Sequence, residues 1–247
     1  MIKENIRKVF ALSGYQIYKS ENVLYIPEDV MMKAYLIKAT EFLSGPVKTV
    51  FDIGANIGGF SRFVSGIFPS ANVFAFEPIS ENFTALKNNT AEEKNIHPVK
   101  LAFGAKAEMN KKIFLKSDSQ WHSLANNSTW HNNENNFENI NIGMVDEYLA
   151  KNKLAVIDIL KTDTEGYDLE VLKGADKALT ENKIKVVVCE VGFNKDDIQH
   201  TLFNPVHEYL FGKGFRVMGF TGLQASYKIQ NKFGVGYCNC IFLNSDK

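Results

Sequence analysis

Residues 50–60 read VFDIGANIGGF, and the interpretation of the whole chain starts from this stretch. The β-branched and aromatic residues from Thr49 to Ile53 predict a buried strand. Gly54 and Gly58 carry no side chain at points where the chain must turn and a ligand can approach the backbone. The helix that follows offers the unpaired N–H groups of its first turn to polar or anionic ligand groups. We therefore predict the first β-turn-α unit of a nucleotide-binding α/β domain.

The turn itself distinguishes between two nucleotides. A dinucleotide fingerprint, G-x-G-x-x-G, needs a second glycine so that a pyrophosphate can lie against the backbone, and Asn56 stands at that position. Asp52 precedes the turn, where a carboxylate suits an ammonium group better than a pyrophosphate. The pattern D-x-G-A-N-x-G resembles motif I of the class I S-adenosylmethionine-dependent methyltransferases. The alternative is a purely structural turn in another α/β protein.

The composition is that of an ordinary globular protein. The chain has 247 residues, enough for one large α/β domain or two small ones, with 45% hydrophobic and 23% charged residues. Its formal net charge is zero, so nothing argues for electrostatic capture of nucleic acid or of an acidic membrane.

Cysteine usage and hydropathy set the expected compartment. Cys189, Cys238 and Cys240 give no disulfide framework and are read as buried free thiols. We find no apolar run long enough for a membrane span and no signal-peptide core at the N-terminus. The sequence predicts a cytoplasmic protein.

The second predicted strand, Asn72 to Phe76, runs into Glu77 and Pro78. Ligands of a doubly wound sheet bind beyond the carboxyl ends of its strands, so Glu77 is placed to accept hydrogen bonds from ribose hydroxyls. Dehydrogenases share this feature, and a solvated strand-end carboxylate is the simpler alternative. Glu77 therefore supports a nucleoside without choosing the cofactor.

The middle of the chain contains two further predicted strands and a long polar segment. We predict a third strand over 98–103, which would bring Phe103 and Gly104 near an adenine, and an extra strand over 111–116. Residues 117–142 are polar and asparagine-rich, and they include His122 beside a tryptophan. A loop of this length is usually functional or disordered, so it is either a substrate-facing lid or a surface insertion.

Carboxylates gather at the ends of the later strands. A strand over 155–162 delivers Asp163, Glu165 follows two residues on, and Glu190 lies near the end of a fifth strand over 185–191. Acids this close can bind a metal ion, hold a substrate hydroxyl or act as a base. A cation, a proton or hydrogen-bond donors must offset the repulsion between them. Two further strands, over 214–220 and 237–243, predict an antiparallel C-terminal hairpin.

Residues 159–175, ILKTDTEGYDLEVLKGA, resemble the K-x-D-x-E-G-x-E-x-x-V-L-x-G-A hallmark of FkbM-type methyltransferases. The resemblance extends from about Thr49 to Phe193, and more loosely to Leu243. Two positions depart from the hallmark: Thr162 replaces a common apolar residue, and Asp168 replaces a common Glu.

The resemblance implies a doubly wound, mostly parallel seven-stranded α/β sheet of the Rossmann-like class I methyltransferase type. It also implies methyl transfer from S-adenosylmethionine to a hydroxyl of a sugar, a polysaccharide component or a natural-product scaffold. Asp163 and Glu165 would face the methyl group, with His122 and Glu190 as weaker candidates for base or metal ligand. The residues that the resemblance assigns to the cofactor are Asp52, Gly54, Ala55, Asn56, Gly58, Glu77, Pro78, Phe103 and Gly104.

We accordingly expect an N-terminal helical extension over 1–48, with a helix over 27–42, and a methyltransferase domain over 49–247 with an insertion near 105–144. A divalent metal held by Asp163, Glu165 and Glu190 stays open, as does the identity of the small-molecule or glycan acceptor. Two rival functions are an NAD-dependent oxidoreductase and an S-adenosylmethionine-binding partner protein without turnover.

Overall fold

The computed structural model describes residues 27–115, 137–197, 199–225 and 235–245. The helices are α1 (Glu28–Thr40), α2 (Gly59–Ile67), α3 (Ser80–Asn89), α4 (Val145–Lys151), α5 (Asp168–Lys173), α6 (Asp176–Thr180) and α7 (Phe203–Phe211). The strands are β1 (Thr49–Ile53), β2 (Asn72–Phe76), β3 (Ile96–Val99), β4 (Ala102–Phe103), β5 (Glu108–Phe114), β6 (Phe137–Gly143), β7 (Ile157–Thr162), β8 (Ile184–Gly192), β9 (Phe215–Ala225) and β10 (Val235–Asn244).

Seven strands form the main sheet in the order β3-β2-β1-β7-β8-β10-β9. In this order, β3, β2, β1, β7 and β8 run parallel to one another, whereas β10 is antiparallel to both β8 and β9. The carboxyl ends of β1, β2, β7 and β8 therefore meet at one edge of the sheet. The predicted fold class and the antiparallel C-terminal hairpin are confirmed.

The sheet is buried on both faces, which explains why its central strands read as continuous apolar runs. Side chains alternate along β1: Phe51 and Ile53 belong to one core cluster, and Val50 belongs to the other. The first cluster is covered by α4, α5, α6 and α7, and the second by α1, α2 and α3. Helix α1 buries Met32 and Leu36 there, so part of the predicted N-terminal extension packs on the sheet.

A second, three-stranded sheet in the order β4-β6-β5 stands beside the first. The predicted strand over 98–103 is split by the fold, because β3 joins the main sheet and β4 joins this small one. We expected a long polar loop over residues 117–142, and this expectation is wrong over β6, where Ile140 and Ile142 are buried against Ile113. Phe103 lies on β4 and so belongs to this small sheet.

Within the described ranges, no helix is both long enough and apolar enough to cross a membrane. The three cysteines are free and buried, as the sequence predicts.

Candidate functional site

The turn after β1 is held between the ends of two other strands. The backbone N–H groups of Gly54 and Ala55 both donate to the carbonyl oxygen of Phe76, at 3.0 and 2.9 Å. Gly54 has φ +80°, and a Cβ built on it would lie 1.8 Å from the carbonyl oxygen of Asp163. Asn56 also adopts a left-handed conformation, with φ 49°. The turn requires glycine at 54 because backbone fills the space that a side chain would occupy.

Glu77 follows β2 and is 4% exposed. Its Oε2 accepts the N–H of Asn56 and its Oε1 accepts the N–H of Ile79, each at 2.9 Å. Burial raises the pKa of Glu77 to about 7, against the lowering effect of the two backbone hydrogen bonds. Backbone geometry thus fixes the carboxyl group at the end of β2.

A cavity of about 310 Å³ opens between the end of β2 and the ends of β7 and β8. We call its two sides the β2 wall and the β8 wall. The β2 wall consists of Glu77, Pro78, Ile79, Asn82, Leu101, Ala102, Phe103 and Ile113. The β8 wall consists of Asp163, Thr164, Glu165, Tyr167, Glu190, His200 and Tyr237. Ile53, Gly54 and Asn56 lie between them.

A buried lysine stands behind the β8 wall. The Nζ of Lys161 lies 3.0 Å from Oδ2 of Asp163 and 3.6 Å from Oδ1 of Asp52. Burial disfavours its charge, but Asp163 and then Asp52 outweigh burial and raise the pKa of Lys161 above its usual value. Lys161 therefore supplies the positive charge that these two carboxylates need.

Asp52 lies under α2 rather than in the cavity. It is fully buried, and its Oδ2 accepts the hydroxyl hydrogen of Ser61 at 2.6 Å. Burial raises the pKa of Asp52, although the charge of Lys161 opposes this. Asp52 shares the Val50 face of β1, which α2 covers, so its carboxylate does not line the cavity.

The pKa values of Asp163 and Glu190, on the β8 wall, are shifted in opposite directions. The pKa of Asp163 is lowered because the charge and hydrogen bond of Lys161, and then a hydrogen bond from Glu190, overcome the effect of burial. Burial, followed by the negative charges of Asp163 and Asp168, raises the pKa of Glu190 well above its usual value. At neutral pH the pair therefore consists of an ionised Asp163 and a protonated Glu190.

The metal site expected at Asp163, Glu165 and Glu190 has no support in this geometry. All three residues line the cavity, but across the described residues no three or more His, Cys, Asp or Glu side chains are grouped so as to hold an ion. Their repulsion is offset by the ammonium group of Lys161 and by the proton on Glu190.

The two departures from the hallmark touch each other. Thr162 donates its hydroxyl hydrogen to Oδ1 of Asp168 at 2.7 Å, and the N–H of Thr164 donates to the same oxygen at 3.0 Å. Thr201 donates its hydroxyl hydrogen to Oδ2 of Asp168 at 3.0 Å. Asp168 and its three threonine partners thus form one buried hydrogen-bonded cluster behind the β8 wall.

A second cavity, of about 670 Å³, lies on the other side of the turn, beside the start of α1. It shares Gly54, Asn56 and Asp163 with the first cavity. Asn56 and Asn239, both on its lining, each have a buried Oδ1 without a hydrogen-bond partner in the described part of the chain. Unpaired buried acceptors are costly, and they suit a ligand that donates hydrogen bonds.

The remaining predicted residues fall into three groups. Ala55 lines the second cavity. Gly58 and Gly104 line neither cavity: a Cβ on Gly58 would meet Leu86 at 2.9 Å, and one on Gly104 would meet Tyr167 at 3.0 Å. His122 lies outside the described residues.

Sequence reasoning missed Asp197, His200 and Tyr237. Nδ1 of His200 lies 2.7 Å from Oδ2 of Asp197, and its ring stacks on Tyr237 with centroids 4.0 Å apart. The available signal is the polar run that follows β8, with an aspartate and a histidine three residues apart beyond the carboxyl end of a strand.

Comparison with known proteins identifies the family. A profile of the methyltransferase FkbM domain matches residues 52–217, more than half of the chain. The chain is 28% identical over 153 residues to hexuronic acid methyltransferase AglP of Haloferax volcanii, covering 62% of this chain and 60% of AglP. It is 23% identical over 235 residues to methyltransferase 1 of Beauveria bassiana, covering 86% of this chain and 90% of that protein.

The superposition on the solved METTL16 MTase domain covers 98% of this chain and 77% of the METTL16 chain, with a TM-score of 0.52 and 14% sequence identity. At this identity the likeness is one of fold alone. The matched part spans less than two thirds of AglP. The profile match favours methyl transfer over the oxidoreduction that Glu77 also allowed. The chain belongs to the FkbM-domain family of methyltransferases.

Proposed function

We propose that the chain transfers a methyl group from S-adenosylmethionine to a hydroxyl group of a sugar or a polysaccharide component. One observation supports this best: a single cavity has a buried, backbone-held carboxyl group, Glu77, on one wall and a cluster of acids on the other. Glu77 suits a ribose, and the cluster of acids suits a hydroxyl-bearing acceptor.

The residues present fit S-adenosylmethionine. Glu77 would accept hydrogen bonds from the ribose hydroxyls, and Pro78 and Phe103 would border the adenine on the β2 wall. The buried Oδ1 of Asn56, beside the Gly54 turn, is an acceptor suited to the ammonium group. Asp52 would act indirectly, by holding Lys161 and the start of α2. When bound, the cofactor supplies a methyl group on a sulfonium that an oxygen can displace in line.

The acceptor would lie against the β8 wall. Its carboxyl groups can accept hydrogen bonds from sugar hydroxyls, and Tyr237 adds an aromatic surface. The hexuronic acid substrate in the name of AglP makes a sugar acid the first acceptor to try. The chain has zero net charge and so offers no general attraction for a polyanion, and the proposal therefore does not include a nucleic acid acceptor.

Cytoplasmic location is retained as part of the proposal, on the basis of three free, buried thiols. A metal ion is not included.

The test is a turnover assay of the purified protein with S-adenosylmethionine and a panel of acceptors. The panel contains a methyl glucuronide, a methyl glucoside, a neutral oligosaccharide and a structured RNA. Mass spectrometry should detect S-adenosylhomocysteine together with a sugar that has gained one methyl group. Methylation of the RNA alone, or NAD binding without S-adenosylmethionine binding in calorimetry, would overturn the proposal.

Two variants show whether the cavity is the site. Glu77→Ala removes the buried carboxyl group, and we expect at least about tenfold weaker S-adenosylhomocysteine binding, because one buried hydrogen-bond acceptor is lost. Glu81→Ala removes an exposed carboxylate from α3 and serves as the control with unchanged binding. Equal affinities for the two variants would place the cofactor elsewhere.

A further inference from the structure

The loop after β8 folds back onto the end of that strand. The N–H of Gly192 donates to the carbonyl oxygen of Thr201 at 2.9 Å, and Gly192 also bridges to Leu202. A Cβ on Gly192 would lie 3.1 Å from Cβ of His200 and 3.2 Å from Oδ2 of Asp197. The glycine therefore leaves the space that Asp197 and His200 occupy beside the cavity.

Asp197 fixes the histidine by several contacts. Its Oδ2 lies 2.7 Å from Nδ1 of His200, and its Oδ1 accepts the backbone N–H groups of Gln199 and His200 at 2.9 and 3.3 Å. Burial opposes ionisation, but the hydrogen bonds from His200 and Gln199 hold the pKa of Asp197 below its usual value. An ionised Asp197 favours a hydrogen bond from a proton on Nδ1, which is the tautomer in which the lone pair of a neutral imidazole is on Nε2.

The ring is aimed at the β8 wall. The side chain of His200 is 8% exposed and stacks on Tyr237 at an interplanar angle of 12°, which limits its rotation. Its Nε2 lies 3.6 Å from Oε2 of Glu190, so Nε2 faces the acids that line the cavity.

The neighbouring acids are poorer bases. Asp163 is bound by Lys161 at 3.0 Å and by the proton of Glu190, and both contacts lower its affinity for another proton. Glu190 already carries a proton at neutral pH. His200 thus combines a fixed ring orientation with a position on the cavity.

We propose that Asp197 and His200 form the general base of the reaction, with Nε2 of His200 accepting the proton of the acceptor hydroxyl. The inference rests on the proposed function. As the acceptor oxygen bonds to the methyl carbon, its proton passes to Nε2, and the electron pair of the broken carbon–sulfur bond stays on the departing thioether. Asp197 is a positioning residue that stabilises the imidazolium.

Several ionisable groups face His200. They are Asp197 in its own loop, Glu190 at the end of β8, Asp163 at the end of β7 and Tyr237 on β10. Because Asp197 and Asp163 are negative, the imidazolium that forms during the reaction is stabilised by charge.

The activity test measures kcat and KM with the acceptor that the wild type methylates. We expect His200→Gln to lower kcat about a hundredfold or more, with an unchanged KM for S-adenosylmethionine and loss of the rising limb of the pH profile. Asp197→Asn, a second variant in case the first misfolds, should lower kcat about tenfold. His207→Gln, a histidine on α7 that lines neither cavity, is the control with wild-type kcat. Wild-type kcat in His200→Gln, or loss of the rising limb in Glu165→Gln instead, would overturn the inference.

A readout without turnover separates this inference from the proposed function. Nitrogen-15 NMR of labelled histidine, assigned by comparison with His200→Gln, should show a proton on Nδ1 and none on Nε2 in the resting protein. The opposite tautomer would refute the base assignment even if no acceptor is found. An inactive wild type with the expected tautomer would instead refute the proposed function.

Discussion

The two walls of the cavity are built in different ways. On the β2 wall, backbone N–H groups hold Glu77, one of them from a residue two positions along the chain. On the β8 wall, side chains from four separate parts of the chain hold one another: Lys161 with Asp163, Glu190, His200 with Asp197, and Tyr237. A backbone-held group is thus set by a short motif, whereas a network of side chains depends on the whole sheet.

The largest difference between the walls should appear on removal of a charge. Lys161→Met leaves Asp52 and Asp163 buried without their cation, and we expect a loss of about 3–5 kcal/mol in the free energy of unfolding, measured by urea denaturation. Lys173→Met removes the exposed partner of Glu170 and should cost less than about 1 kcal/mol. Similar losses in the two variants would show that the β8 wall does not depend on its buried lysine.

The Gly54 turn, which both walls share, gives the next effect. Gly54→Ala places a Cβ against the carbonyl oxygen of Asp163 at a positive φ, so we expect a loss of about 3 kcal/mol and no detectable cofactor binding. Gly66→Ala, in α2 with open space around it, should leave stability unchanged or raise it by up to about 1 kcal/mol. Thermal melts and calorimetry measure both. Unimpaired binding by Gly54→Ala would contradict the turn geometry.

The β2 wall should respond to pH. Because the pKa of Glu77 is raised to about 7 in the folded protein, its protonated form stabilises the fold, and this contribution is lost as pH rises from about 4.5 to 7. Relative to Glu77→Gln, the ligand-free wild type should lose about 2 kcal/mol between pH 5 and pH 8. Denaturation curves at the two pH values check this. A constant difference would mean that Glu77 is ionised throughout.

The smallest effect concerns the hydrogen-bonded cluster around Asp168, behind the β8 wall. Thr162→Val and Asp168→Glu should each destabilise the fold, because Thr162 donates directly to Asp168. In a double-mutant cycle we expect a coupling energy of about 1 kcal/mol, since the two changes remove the same hydrogen bond. Additive losses would show that the two departures from the hallmark are independent.

The contrast between the walls also explains what the sequence could predict. Gly54 and Glu77 belong to contiguous patterns whose backbone geometry is local, so their positions were predictable. Asp52 was expected to face the ligand, but it alternates with Phe51 and Ile53 along β1 and therefore lies under α2. The alternation was visible in the sequence, but which face of the sheet carries the cavity was not.

The β8 wall was predictable only in part. Asp163 and Glu190 were found because they end apolar strands. His200 reaches the cavity only because its loop returns to Gly192, and Tyr237 joins it only because β10 is inserted between β8 and β9. Those are tertiary contacts between residues far apart in the chain, and no local pattern encodes them.

The most direct test of this account is a crystal structure of the protein with S-adenosylhomocysteine and a sugar acceptor bound. We predict that the ribose hydroxyls lie within hydrogen-bond distance of Glu77 and that an acceptor hydroxyl lies beside Nε2 of His200, both in the cavity between the β2 wall and the β8 wall. A ribose bound away from Glu77, or a sugar outside the β8 wall, would contradict it.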